Sequence, residues 1–200
     1  MSLPVEMIWV DYEGTGVHEE GPVVPLEIGI ILTDRRGYEV DQFESLILVH
    51  GWQSYMNRAN DFVKKMHTAS GLVDDLQRMH SMGSEPYRTH GTRNVQGRIL
   101  DWLANHGVKK NALPMTGSSV HYDRRVAQEW MPDFNGHFHY RNQDVSSIKN
   151  FCKLLNPDLA KRLPKMEEKT HRPIADLRNS IREYRWYCNE FLIVDGDKHP

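Results

Sequence analysis

The feature that most constrains the fold is a succession of three strand-like runs in the first quarter of the chain. Residues 5–11, 25–34 and 43–49 are each apolar and bounded by turn-forming residues, as β-strands usually are. They follow one another closely, and residues 34–38 form a turn between the second and the third. This arrangement predicts an antiparallel meander at the start of the fold.

The pattern changes to helical periodicity after the third run. Two further short strands are predicted at 111–117 and 138–146. The predicted helices cover 68–79 (with Thr68 or Ser70 as the N-cap), 92–107, 122–131, 147–155 and a long final segment that begins at Pro173. This order predicts a single α/β domain over residues 1–200, with its core at about 5–191. In this domain a mixed sheet, formed by the meander and by parallel strands, is flanked by helices.

Composition excludes several classes of protein. The hydrophobic fraction of 39% suits a globular chain, and no apolar run approaches the roughly 20 residues that span a bilayer, so we expect no membrane partner. The formal net charge of −2 argues against a broad basic surface for long nucleic acids. The two cysteines, Cys152 and Cys188, have no metal-like spacing and are typical of reduced thiols, so we expect a cytoplasmic or organellar protein.

Four carboxylates and one histidine occupy places that suggest chemistry. Asp11 and Glu13 are two residues apart at the end of the first strand, and alternation puts both on one face. Asp123 follows a short strand at the start of a helix, and Asp176 lies in the first turn of the last helix. His171 precedes that helix, which places it near Asp176. Three separate elements can therefore direct four acids to one cleft.

Clustered carboxylates cannot all stay ionised unless a positive charge joins them. Magnesium and manganese prefer oxygen ligands, and two such ions can stabilise the attacking and leaving oxygens of a phosphodiester. A histidine near neutrality can take a proton from the attacking water. Each acid taken alone is more often a solvated surface group or a helix cap than a metal ligand, so spacing alone leaves both interpretations open.

Five segments carry a resemblance to a known family. Their pattern of D-x-E, a later D and H-x-x-x-x-D is similar to the DEDDh 3′–5′ exonucleases, which share a ribonuclease-H-like fold, and more specifically to the oligoribonucleases. "HTASGL" and "FHYRNQDVSSIK" are the most specific of the matches, since a lone D-x-E is common. The segments are "VDYEGTG" (10–16), "HTASGL" (67–72), "GSSVHYDRR" (117–125), "FHYRNQDVSSIK" (138–149) and "THRPIADLRNSIREYRWY" (170–187).

The resemblance implies a two-metal hydrolytic site that uses magnesium or manganese. Asp11, Glu13 and Asp176 would hold one ion, while Asp11 and Asp123 would hold the second. His171 would be the general base. The expected reaction is the release of nucleoside 5′-monophosphates from short RNA.

The resemblance also implies partners and substrate contacts. Such enzymes are homodimers in which a tyrosine of one subunit, matched here by Tyr140, enters the site of the other. The substrate is short single-stranded RNA, from dinucleotides upward. The residues that match the 5′-phosphate contacts are His67, Ser119, Arg141 and Ser146.

Two positions match the residues that bracket the bases. Val17 and Phe62 stand where leucine and tryptophan are more usual, which predicts a smaller stacking platform. Gly14 stands where methionine is usual, which predicts a looser strand end beside the metals. The polar segment 84–94 has no assigned role.

Two alternatives remain open from the sequence. The first is a proofreading or repair exonuclease of the same chemistry that prefers longer single-stranded DNA or RNA. The second is a binding module on the same fold without catalysis. The segment "FHYRNQDVS" favours an oligoribonuclease over the first, and the complete set of acids with His171 argues against the second.

Overall fold

The computed structural model describes residues 3–18, 21–165 and 170–192. The outermost parts of the predicted domain, residues 1–2 and 193–200, lie outside the described residues. Within those ranges, five strands form one sheet in the order β3-β2-β1-β4-β5. These strands are β1 (Met7–Gly14), β2 (Pro25–Thr33), β3 (Glu39–Leu46), β4 (Pro114–Gly117) and β5 (His139–Asp144).

The sheet is mixed, as predicted. β1, β2 and β3 pair antiparallel, whereas β4 pairs parallel to β1 and to β5. The order places β1 at the centre and leaves β5 at an edge. The α/β class and the meander are therefore confirmed.

The helices lie on both faces of the sheet and between its strands. In the described chain they are α1 (Trp52–Arg58), α2 (Asp61–Ala69), α3 (Leu72–Ser81), α4 (Glu85–His90), α5 (Thr92–Asn105), α6 (His121–Trp130), α7 (Pro132–Asn135), α8 (Val145–Leu155), α9 (Pro157–Ala160) and α10 (Pro173–Glu190). Among the described residues, no helix is both long and apolar enough to cross a bilayer.

Two core clusters on opposite faces of the sheet fix how β1 is presented. Ile8 and Val10 pack into the cluster that contains α5 and α6 residues. Met7 and Trp9 pack into the cluster formed with α8 and α10. Because side chains alternate along a strand, the odd-numbered positions at the end of β1 lie on the face that α10 covers.

The predicted bounds of the third strand are wrong. The strand spans Glu39–Leu46 rather than 43–49. Its pairing with β2 is set by the hairpin turn at Gly37, whose φ of 78° requires a left-handed conformation. Ile47 and Leu48 are buried, but they have left the strand, and the amide of Leu48 donates to the carbonyl of His90.

The predicted helix at 68–79 is also wrong at its start. Ser70 ends α2 and is not an N-cap, and neither is Thr68, which lies within α2. α3 begins at Leu72 after Gly71, whose φ of 76° interrupts the helical backbone. No helix was predicted for α1, α2, α7 or α9, nor at the start of segment 84–94, where α4 is found.

Candidate active site

The end of β1 brings two acids beneath the start of α10. Asp11 and Glu13 occupy odd positions of β1, on the face that packs against α8 and α10. Glu13 is buried and Asp11 is half-buried. The strand ends immediately afterwards at Gly14, so both carboxylates lie at the carboxyl end of the central strand.

The start of α10 supplies the next two groups. Asp176 is buried in the first turn of α10, and its amide donates to the carbonyl of Arg172. His171 precedes the helix with a φ of 53°, a left-handed conformation that is costly for a residue other than glycine. One ligand atom each from Glu13, His171 and Asp176 lie within 4.8 Å of one another. The predicted meeting of the first strand with the last helix is therefore seen.

Asp123 completes the acidic group from a third element. It lies in the first turn of α6, is only 2% exposed, and accepts a hydrogen bond of 2.8 Å from the amide of Tyr12. Burial raises the pKa of Asp123 well above its ordinary value, and the charges of Asp11 and Glu13 raise it further. The three acids are therefore close enough to oppose one another's ionisation.

The donor set suits hard divalent cations. Carboxylate oxygens predominate, with a single imidazole beside them, and this combination favours magnesium or manganese over softer metals. The electrostatic conflict at Asp123 is relieved either by a proton, which its raised pKa favours, or by a bound cation. Glu13, His171 and Asp176 lie close enough together to hold one cation, and the charges of Asp11 and Glu13 act on Asp123 beside them.

Two of the residues that were matched to 5′-phosphate contacts, Ser119 and Ser146, lie together at the junction of β4, α6 and α8. The hydroxyls of Ser119 and Ser146 are 3.2 Å apart. Asp144 organises both, because its Oδ1 accepts from the amide of Ser119 at 3.0 Å and from the amide of Ser146 at 2.9 Å. Ser119 has a φ of 56°, which is, like that of His171, an unusual conformation for its residue type.

Tyr140 and Arg141 lie on the edge strand β5. Tyr140 is 73% exposed, and the guanidinium carbon of Arg141 lies 4.9 Å from the centre of its ring. Arg141 is exposed as well. Both side chains are therefore available to a second molecule.

His67 lies apart from the serine pair. Its imidazole is fully buried, with Nε2 2.8 Å from the carbonyl oxygen of Gly14 and Nδ1 3.8 Å from a carboxylate oxygen of Glu13. Burial lowers the pKa of His67. The residue therefore supports the end of β1 in this structure and exposes no surface to a phosphate.

Gly14 is tightly packed, contrary to the predicted loosening. A Cβ atom on Gly14 would lie 2.5 Å from the hydroxyl of Tyr122 and 2.8 Å from a methyl carbon of Val23. The hydroxyl of Tyr122 in turn donates to the carbonyl of Gly16. The small residue therefore allows a close approach that fixes the strand end.

The two residues expected to bracket the bases line different cavities. Phe62 is 70% exposed at a cavity of about 560 Å³ that His171 and Arg172 also line. Val17 is exposed at a cavity of about 310 Å³ whose walls include Tyr55. The cavity beside Phe62 is thus the one of these two that His171 lines.

Sequence reasoning missed three residues of this region. Asp144 caps α8, and its position directly before an apolar helical run could have identified it. Arg172 forms ion pairs with Glu27 on β2 and with Asp75 on α3. No local signal predicts the Arg172–Glu27 contact, because 145 residues separate its partners.

Comparison with known proteins identifies the family of the chain. The RNase T family model, described as an exonuclease, matches residues 8–184. An oligoribonuclease of Chromobacterium violaceum is 32% identical over 188 residues, which are 94% of this chain and 96% of the relative. An oligoribonuclease of Neisseria meningitidis serogroup B is 33% identical over 187 residues, covering 94% of this chain and 92% of that one.

Solved structures share the fold at low sequence identity. Cell-death related nuclease 4 matches with a TM-score of 0.63 and 14% identity over 94% of this chain and 66% of its own. The zinc-bound form of the E. coli ExoI–ssDNA complex matches with a TM-score of 0.59 and 14% identity, and this chain spans 42% of its length. From the sequence matches, the chain belongs to the RNase T exonuclease family and, within it, to the oligoribonucleases.

Proposed function

We propose that this exonuclease hydrolyses short single-stranded RNA from its 3′ end, with two divalent metal ions, and releases nucleoside 5′-monophosphates. The observation that carries the proposal is the convergence of Glu13, His171 and Asp176, whose ligand atoms lie within 4.8 Å of one another. Family membership supports the reaction class, a phosphodiester hydrolysis.

The acids would hold the metals. Asp11, Glu13 and Asp176 would bind one ion, and Asp11 and Asp123 the other, with magnesium or manganese as the metal. When bound, the ions would supply the positive charge that stabilises the attacking and leaving oxygens of the phosphodiester. The burial of Asp123 and the raised pKa of its carboxyl support this assignment, since a cation removes the repulsion.

His171 would act as the general base. Its imidazole lies beside the carboxylates of Glu13 and Asp176 and lines the cavity of Phe62. A water between the imidazole and a phosphodiester in that cavity would lose its proton to His171 as it attacks phosphorus. The unusual backbone of His171 supports a functional role, because such strain persists mainly where the surroundings enforce it.

The 5′ phosphate of the substrate would be bound by Ser119, Ser146 and Arg141. Two hydroxyls 3.2 Å apart and an exposed guanidinium are suitable donors for a terminal phosphate. His67 would join them only after a rearrangement, because its ring is buried against Gly14. Phe62 and Val17 would contact the bases.

The active form would be a homodimer in which Tyr140 reaches the site of the partner. Support comes from the edge position of β5 and from an apolar stripe on α8, the helix that follows it. Phe151, Leu154 and Leu155 are all exposed, and their spacing puts them on one side of the helix. A second copy would cover this stripe and bring Tyr140 to its partner.

The free thiols of Cys152 and Cys188 support a reducing compartment, and we propose the cytoplasm or an organelle.

The decisive experiment compares substrate lengths. Purified protein would be given a 5′-phosphorylated RNA dinucleotide, and RNA and DNA strands of about 20 nucleotides, with Mg²⁺ or Mn²⁺ and then with excess EDTA. We expect metal-dependent cleavage with the highest kcat/KM for the dinucleotide. A long strand cleaved at least as fast would support the proofreading-type alternative, and cleavage that persists in EDTA would exclude the metal mechanism.

A further inference from the structure

Arg172 joins three elements of the fold at the point where His171 enters the site. It is the N-cap residue of α10, between His171 and Pro173. Its Nε and Nη2 donate to the two carboxylate oxygens of Glu27 at 2.9 and 2.6 Å. Its Nη1 donates to Asp75 on α3 at 2.9 Å. These three residues, Arg172, Glu27 and Asp75, are called here the Arg172 network.

Glu27, which Arg172 binds through two nitrogens, is buried on β2 next to β1. Glu27 is only 1% exposed and lies directly opposite Glu13 in the pairing of β1 with β2. Like charges in that arrangement repel one another. Arg172 therefore supplies Glu27 with its own countercharge, which leaves Glu13 available to the metal site.

The backbone on either side of Arg172 is tightly constrained. His171 holds a left-handed φ of 53°, which persists only where the surroundings enforce it. On the other side, the start of α10 rests directly on β2, since a Cβ atom on Gly29 would lie 2.6 Å from Cβ of Pro173 and 3.1 Å from the amide nitrogen of Ile174. The contacts of Arg172 with Glu27 and Asp75 fix the residue between these two constraints.

We propose that Arg172 is a positioning residue, which holds His171 beside Glu13 and Asp176 by tying the start of α10 to β2 and α3. The inference rests on the proposed function, in which His171 is the general base. Three of its five N–H donors are already bound to carboxylates. In this proposal Arg172 therefore acts through His171 and not by binding substrate, although it lines the cavity of Phe62.

The test is the variant Arg172→Lys, because a lysine keeps the charge but cannot reproduce two-point binding to Glu27 together with the contact to Asp75. We expect kcat on the dinucleotide to fall by about 10–100-fold, the range found when the partners that orient a catalytic group are removed. KM should change by less than about twofold. Glu27→Gln, which weakens the same network from its other side, should lower kcat in the same direction.

Arg178→Lys is the matched control. Arg178 lies on the same helix, also binds a carboxylate through two nitrogens (Glu39, both at 3.0 Å), and also has a further partner in Gln42 at 2.8 Å. It contacts β3 and not the segment of His171. Because Glu27 is buried and Glu39 is exposed, we expect Arg172→Lys to lower the melting temperature more than Arg178→Lys does. At a temperature where both variants are fully folded, only Arg172→Lys should lose turnover.

A double-variant cycle with His171→Ala separates the positioning role from the proposed function. If Arg172 acts through His171, then adding Arg172→Lys to His171→Ala should reduce kcat by less than about threefold. If the losses of kcat in the two single variants multiply in the double variant, the positioning role is overturned. A raised KM at unchanged kcat in Arg172→Lys would also overturn it, because Arg172 would then be a substrate ligand. Full activity in His171→Ala alone would instead overturn the general base. If Arg172→Lys does not fold, the same cycle with Glu27→Gln decides the question.

Discussion

The carboxyl end of β1 and the edge strand β5 carry the two halves of the proposed site, and they are built in opposite ways. At β1 the groups are buried and held by the sheet, α6 and α10, as the contact of Asp123 with the amide of Tyr12 illustrates. On β5, Tyr140 and Arg141 are exposed and contact each other. Under the proposed function, each chain supplies its own metal ligands and general base, whereas Tyr140 completes a site only when a second copy brings it there.

The largest expected effect on activity is that of Asp123→Asn, in the part of the site at the end of β1. Asparagine keeps an oxygen that can accept from Tyr12 but cannot supply a charged metal ligand. We expect cleavage to fall by at least about 10³-fold, the loss seen when a group that stabilises the transition state is removed. The metal-free variant should melt at least about 2–4 °C higher than the wild type, the shift given by about 1 kcal/mol in a chain of this size. Cleavage assays with manganese measure the loss of activity, and scanning calorimetry of the metal-free proteins measures the change in melting temperature.

The stability gain should also depend on pH. Since the folded-state pKa of Asp123 is raised, the folded state holds this proton more tightly than the unfolded chain does. Stability of the metal-free wild type should therefore decline as pH rises from the ordinary value of 3.8 through the raised pKa. The variant should lack this part of the decline. A variant that melts lower than the wild type at neutral pH would contradict the proposed repulsion.

The variant Leu154→Glu on α8 tests the exposed half of the site. A charge in the apolar stripe should disfavour the dimer, because a buried unpaired carboxylate is costly. We expect dinucleotide cleavage to fall by about 10–100-fold, as for the loss of supporting groups, while manganese binding is retained. Sedimentation measures the loss of the dimer, titration calorimetry measures manganese binding, and steady-state kinetics measure dinucleotide cleavage.

Met82→Glu is the matched control for Leu154→Glu. Met82 is 70% exposed, close to the 75% of Leu154, but follows α3 instead of lying on α8. It should leave assembly and activity unchanged. A monomeric Leu154→Glu protein with full activity would show that one chain holds the whole site.

A smaller effect is expected from Arg141→Ala. The wild type should prefer a 5′-phosphorylated dinucleotide to its 5′-hydroxyl counterpart by about 10–100-fold, the value of one charge-assisted hydrogen bond. The variant should lose most of that preference and leave cleavage of the hydroxyl substrate unchanged. An unaltered preference would remove Arg141 from the phosphate contacts.

The smallest effect is expected from Phe62→Trp. A larger ring in the exposed position should improve stacking by a fraction of the roughly 1–3 kcal/mol that one base contributes. We expect KM for the dinucleotide to fall by about two- to fivefold at constant kcat. Steady-state kinetics measure it, and a KM that rises would show that Phe62 does not stack on the base.

The features that the sequence predicted correctly are those that depend on local pattern. Alternation along the first strand placed Asp11 and Glu13 on one face, and Pro173 marked the first residue of α10. The meeting of these elements with Asp123 followed from the pattern of acids and from the family resemblance. The mixed sheet followed from the order of strands and helices.

What the sequence did not reveal depends on backbone turns and on distant contacts. Gly71 interrupts what looked like one helix, and the hairpin at Gly37 sets the register of β3. The burial of His67 against Gly14 joins residues 53 apart in the chain. Such contacts are fixed by tertiary packing, so local propensity could not predict them.

The order in which the parts of the site occur along the chain has a consequence for the protein during its own synthesis. The first acids lie in β1, but His171 and Asp176 belong to the last helix described, α10, and Arg172 ties this helix back to β2 across 145 residues. Domains fold as units, and a nascent chain without α10 lacks a wall of the site. A ribosome-bound or truncated chain that ends before α10 would therefore lack both His171 and Asp176, and hydrolysis would begin only after α10 has been made and has packed against β2.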